Sequence, residues 1–134
     1  FEVFAGGSGS TGGSIEVAER SIAVIRESGN AVWFEFAALC EGPRGKDDYI
    51  EIAGDYPAVL LSNVPVFDET RDNAARRFIS LIDELYDRGV NLAVSAAAPP
   101  DRLYQGTRLA FEFQRASSRL VEMQTEQYLA RAHG

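Results

Sequence analysis

The apolar residues of this 134-residue chain change their spacing along its length, and the changes mark out the elements. Residues 15–17 (IEV), 21–25 (SIAVI) and 31–36 (AVWFEF) are short β-branched or aromatic runs, the last entered through Ser28, Gly29 and Asn30. Short runs at this spacing, with a Gly-Asn turn, predict an antiparallel meander. A helix over residues 18–25 is the competing reading. Gly42, Pro43, Arg44 and Gly45 make a turn by composition, after which Asp47 or Asp48 is placed to cap a short helix carrying Tyr49, Ile50, Ile52 and Ala53, with Gly54 ending it. Residues 58–62 (AVLLS) are a continuous apolar run bounded by Pro57 and Pro65, the pattern of a strand buried on both faces.

From Asp68, a plausible N-cap, the spacing turns helical. Ala74, Phe78, Leu81, Ile82 and Leu85 share one side and Arg77, Ser80, Glu84, Asp87 and Arg88 the other. Gly89 is suited to a left-handed stop, and residues 90–95 (VNLAVS) follow as a second buried strand. Strand, helix, strand at this spacing predicts a right-handed crossover between parallel strands. Pro99 and Pro100 then open a turn or short helix through Leu103 and Tyr104 to Gly106. Residues 111–118 read as a helix, 120–124 as a further strand, and Thr125 as the cap of a last turn reaching Ala130. The fold class is therefore α/β, with a parallel βαβ core and an N-terminal antiparallel β meander. Residues 1–14 are expected to be a Gly/Ser-rich linker and residues 15–134 an α/β domain.

Composition narrows the chemistry. The apolar share of 46% and charged share of 25% are those of an ordinary globular domain, and no run approaches a membrane span. A net charge of −7 opposes binding to a nucleic-acid backbone. Cys40 is the only cysteine, so no internal disulfide forms, and a reducing compartment is the simplest reading. The one histidine, His133, stands next to the last residue, which removes Ser-His-Asp and Cys-His schemes and any zinc site built from Cys and His. Carboxylate chemistry, phosphate chemistry and binding are left.

Residues 7–14 (GSGSTGGS) come close to the phosphate-loop pattern GxxxxGK[ST], but Gly13 stands where the lysine belongs. That lysine is the cation that reaches the β and γ phosphates. The segment after Ser14 also reads as a strand, whereas a phosphate loop opens a helix. A glycine-rich linker is the better account.

The C-terminal block carries more specific information. Phe34-Glu35-Phe36 with Leu39-Cys40, Asp48-Tyr49, Val64-Pro65, the ARRF of residues 75–78, Leu81-Ile82-Asp83, Leu85-Tyr86, the SAAAP of residues 95–99, Leu103-Tyr104, Phe111-Glu112-Phe113, Arg115, Ser118-Arg119-Leu120 and Glu122-Met123 together resemble the C-terminal region of the ZapE and lactation-elevated family of AAA-type P-loop ATPases. The likeness covers roughly residues 15–129. It implies a parent protein that binds ATP and Mg and hydrolyses ATP, with its phosphate loop and acidic strand upstream. No cofactor is then expected in this chain itself. The parent would be cytoplasmic in bacteria, or mitochondrial in a eukaryote, and would act on protein partners at the division site or in protein quality control. The remainder of the parent is a further expected partner, and a homo-oligomer is left open. Residues 58–106 also echo the layout of the family's ATPase core, with Ser62, Asn63, Ser95 and Ala96 where that core would use acidic or sensor residues.

Arg119 and Arg115 are the leading candidates for phosphate or interface contact, because a guanidinium is permanently charged and binds bidentately. An internal ion pair pinning the C-terminal strand is the competing account of Arg119. No catalytic or metal-binding residue is assigned. Arg76 and Arg77 are about 100 degrees apart on a helix, so one is expected to pair with a carboxylate such as Asp72 or Glu84 and the other to face solvent or a partner. Asp83 and Glu84 read as surface carboxylates, Cys40 as a buried small hydrophobe, and Trp33 and Phe34 as core or interface.

Overall fold

In the computed structural model, residues 10–18, 20–42 and 44–123 are described. Their strands are β1 (Ser10–Thr11), β2 (Ser14–Val17), β3 (Arg20–Ala23), β4 (Arg26–Glu27), β5 (Ala31–Glu35), β6 (Ala58–Val64) and β7 (Asn91–Ala96). The helices are α1 (Phe36–Cys40), α2 (Lys46–Asp55), α3 (Asp72–Asp87) and α4 (Ala110–Glu122), with 3-10 turns at Glu69–Arg71 and Pro100–Arg102. The main sheet has the order β1-β4-β5-β6-β7, and β5, β6 and β7 run parallel. The α/β class and the parallel core are as the spacing predicts. The meander, however, divides between two sheets. β2 and β3 form a separate antiparallel ribbon, while β1, β4 and β5 pair antiparallel within the main sheet. Ser10, Thr11 and Ser14 thus lie in strands, although the stretch holding them reads as linker; residues 1–9 are outside the described part.

Alternation along β5 and β6 sends Val32, Phe34, Val59 and Leu61 into one core with the buried residues of all four helices. Its centre is aromatic. Phe67 lies 5.5 Å from Phe36, 5.5 Å from Phe78 and 5.6 Å from Phe113, centroid to centroid. No helix among the described residues is long and apolar enough to cross a membrane.

Local chemistry explains the boundaries. Gly45 is the N-cap of α2, and Asp48 in the first turn accepts the Gly45 N–H at 2.7 Å. Asp48 therefore acts from inside the helix and is not its cap. Gly54 does not stop α2, which runs on to Asp55; Tyr56 is then extended because Pro57 forbids it the helical region. Asp68 caps the 3-10 turn that leads into α3, accepting from the Thr70 N–H at 2.9 Å. Gly89 has a φ of 67°, the left-handed stop expected of it.

Three further expectations are corrected. Residues 120–122 belong to α4 and not to a strand, because Phe113, Ala116 and Leu120 are buried at helical spacing and that face continues past Val121. Gln124 and the expected final turn to Ala130 lie outside the described residues. Among the described residues β7 ends the sheet, half-buried at its start and exposed from Val94 to Ala96, so it is not buried on both faces. β6 buries Ala58, Val59, Leu61 and Val64 but leaves Leu60 and Ser62 half-buried and Asn63 exposed.

Candidate functional site

α3 and α4 pack side by side, and the residues singled out from sequence meet in the cleft along them. Arg115 and Arg119 are four positions apart on α4, so they share a face. Across from them α3 presents Asp83. Arg119 donates a hydrogen bond from Nη1 to Asp83 Oδ1, and Arg115 Nη2 lies 3.9 Å from Asp83 Oδ2. The Arg119 guanidinium also stands over the Tyr86 ring, 5.0 Å from its centroid. With a side chain only 25% exposed, Arg119 is held by two partners on α3. Arg115 is 54% exposed and its pairing is long, so its guanidinium keeps reach toward solvent. Arg119 therefore pins a helix rather than a strand, and Asp83 is a shared ion-pair partner rather than an idle surface carboxylate.

The cleft, about 450 Å3, is also lined by Lys46, Arg76, Glu84, Asp87 and Glu112. Four basic and four acidic side chains face it. That balance leaves no excess positive field to hold a phosphate chain. Arg77 turns away from the cleft and donates to the Cys40 carbonyl at 3.3 Å, so its partner is a backbone oxygen and not the expected carboxylate. Asp72 instead accepts from the Tyr104 hydroxyl at 2.9 Å, and Glu84 pairs with Arg88 at 3.8 Å.

A double-mutant cycle tests the clasp. Asp83→Ala and Arg119→Ala should show a coupling of about 1 kcal/mol in urea denaturation, and the cycle with Arg115→Ala should show almost none. Equal couplings would mean that both arginines hold α4.

A second polar group lies at the carboxyl ends of the parallel strands. β6 is irregular between Leu61 and Val64, and Asn63 there has a φ of 64°. This turns Asn63 so that its N–H donates to Ser95 Oγ at 2.9 Å and its Nδ2 to Glu35 Oε2 at 2.8 Å. Ser62 Oγ accepts from Trp33 Nε1 at 2.7 Å. Ser62, Asn63 and Ser95 are thus bonded across the strands. Glu35, which sequence reasoning does not single out as a site residue, supplies the acid. No sequence signal reveals that partnership, since it depends on register.

Cys40 is fully buried, and burial pushes its thiol up to about 12, which leaves it inert near neutral pH. The neighbouring Tyr49 hydroxyl donates to the Leu39 carbonyl at 2.9 Å, and burial raises that group as well. At the N-terminal glycines, Gly12 and Gly13 have φ values of 74° and 85° and lead into β2 and not into a helix. Lys46, the only lysine, is followed by Asp47, so it completes no phosphate-loop pattern either.

The family model for AFG1-like ATPases matches residues 1–132. The chain belongs to the AFG1-like ATPase family. It is 43% identical over 129 residues to the cell division protein ZapE of Escherichia coli K12, which covers 96% of this chain and 34% of that protein. Lactation elevated protein 1 homolog B of Danio rerio is 34% identical over 146 aligned residues, covering 85% of this chain and 29% of that protein. This AFG1-like chain spans about a third of the length of these curated relatives. No solved structure matches it.

Proposed function

We propose that residues 15–134 form a noncatalytic C-terminal domain of an ATP-binding, ATP-hydrolysing protein associated with bacterial division or protein quality control. ATP and Mg are held by the remainder of the polypeptide. The domain completes the fold and carries nucleotide-interface or protein contacts. The observation that carries this reading is coverage: nearly all of the chain aligns, yet it matches only 34% of the division-named relative in an ATPase family. The residues favour it too, since the sequence has one lysine and no GxxxxGK[ST], and the α3–α4 cleft neutralises itself. Arg119 then serves as the clasp of α4, and Arg115, the more exposed of the two, as an interface arginine. A bacterial protein of this kind works in the cytoplasm and a eukaryotic one in mitochondria.

Phosphate release from Mg-ATP by this chain is expected to match the protein-free control. Turnover that scales with chain concentration and survives repeated purification would sink the noncatalytic reading. An independent protein-binding or oligomerisation module without any nucleotide role is the second reading. It is favoured by the exposed Phe111 and Val121 on α4.

A further inference from the structure

A groove runs along a different side of α4, between that helix and the turn at Pro100–Arg102. Its volume is about 610 Å3, inside the range of about 300–1,000 Å3 usual for ligand sites. Three levels follow one another along it. At one end the Tyr104 ring stacks on Phe113 with centroids 5.3 Å apart, and Gln114 stands beside them on the wall. About one turn further, Ser117 Oγ donates to the Pro100 carbonyl at 2.7 Å, which brings Asp101 to the groove at that level. Another turn on is Val121, 58% exposed.

The polar groups that the groove leaves open narrow the occupant. Asp101 is the only charged side chain on its walls, and among the described residues it has no ion-pair partner. The α3–α4 cleft balances its charges, whereas a cation entering this groove meets a carboxylate and no lining base. The Gln114 side-chain amide is likewise without a hydrogen-bond partner among the described residues. It offers a donor and an acceptor together, the pair that one peptide unit needs.

Spacing favours an extended chain. Phe113, Ser117 and Val121 follow at four-residue steps, so the levels are about 6 Å apart. Alternate side chains of a strand share a face and are about 6.6 Å apart. Three alternate residues of one strand therefore reach all three levels, an apolar one over the rings, a basic one beside Asp101 and an apolar one against Val121.

We propose that this groove binds an extended segment of a partner protein whose alternate residues are apolar, basic and apolar. The inference does not rest on the noncatalytic reading, and its test needs no nucleotide.

Fluorescence anisotropy of the fluorescein-labelled peptide Gly-Leu-Ser-Lys-Ser-Leu-Gly, titrated with the whole chain, measures the binding; a control peptide carries Glu in place of Lys. The Lys peptide is expected to bind about tenfold more tightly than the Glu peptide, and added salt should narrow the difference. D101N should abolish the preference. E112Q removes the same charge from the α3–α4 cleft and should leave the preference intact. S118W fills the groove and should weaken binding of the Lys peptide by at least about tenfold. Ser118 is exposed, and far-UV circular dichroism checks that the variant folds; V121R, which sets a like charge in the groove, replaces it if it does not. No saturable binding of the Lys peptide, equal binding of the two peptides, a preference that D101N retains or E112Q abolishes, or binding that the groove variant leaves unchanged would each overturn the proposal.

Discussion

Replacing Phe67 with alanine is expected to destabilise the chain by about 3–5 kcal/mol, measured by urea denaturation. Phe67 is fully buried and touches the Phe36, Phe78 and Phe113 rings, which come from α1, α3 and α4. Truncation would leave a ring-sized cavity where three helices meet, and the rigid neighbouring rings are poorly able to close it. The backbone keeps the truncated residue in place, because the position 67 N–H still donates to the Leu103 carbonyl (2.8 Å with Phe67) and the carbonyl still accepts from Gln105 N–H (2.7 Å), so the site has little freedom to collapse into the cavity. A domain stable by about 5–15 kcal/mol would lose a large share of that margin. Phe67→Leu should cost clearly less, since it refills most of the volume. Equal losses for the two would mean that ring contacts, and not the cavity, set the energy.

Gly106→Ala is the second large effect, at about 1–3 kcal/mol from overpacking. A Cβ there would lie 2.6 Å from Tyr104 Oη and 2.8 Å from its Cζ. The ring has little room to retreat, being stacked on Phe113 at 5.3 Å. Its hydroxyl donates to Asp72 Oδ1 at 2.9 Å and accepts from the Leu109 N–H at 3.0 Å, so displacement breaks the link between the start of α3 and the start of α4. Thermal unfolding of G106A, Y104A and the double variant checks the cause. If the clash is responsible, G106A/Y104A costs no more than Y104A alone. Additive losses would point to a backbone requirement at Gly106 instead.

Much of the fold is visible from side-chain spacing where a single period dominates. α3 shows its apolar stripe, its approach through Asp68 and its stop at Gly89, all local properties that need no partner to be read. Residue 121 shows the opposite case. A β-branched valine suggests a strand, but the burial of Phe113, Ala116 and Leu120 against α3 keeps the segment helical. The exposure of β7 is not legible in its sequence either, because an apolar run looks the same in a central strand and at an edge. The arginines were visible as charged groups four apart, whereas their shared acceptor was not, since Asp83 lies more than thirty positions away in sequence.

The sequence by itself determined the α/β class, the parallel pair joined by α3, the lack of a phosphate-loop lysine and the family. Each follows from residue identity or from short-range periodicity, which are properties of the chain before it folds. Tertiary structure decided the division of the early strands between two sheets, the Asp83 clasp on Arg119 and the Glu35, Asn63 and Ser95 contact. It also decided that Phe111 and Val121 stay open on α4. These depend on which distant segments come together and in what register, and no local pattern encodes which of several carboxylates a guanidinium will meet.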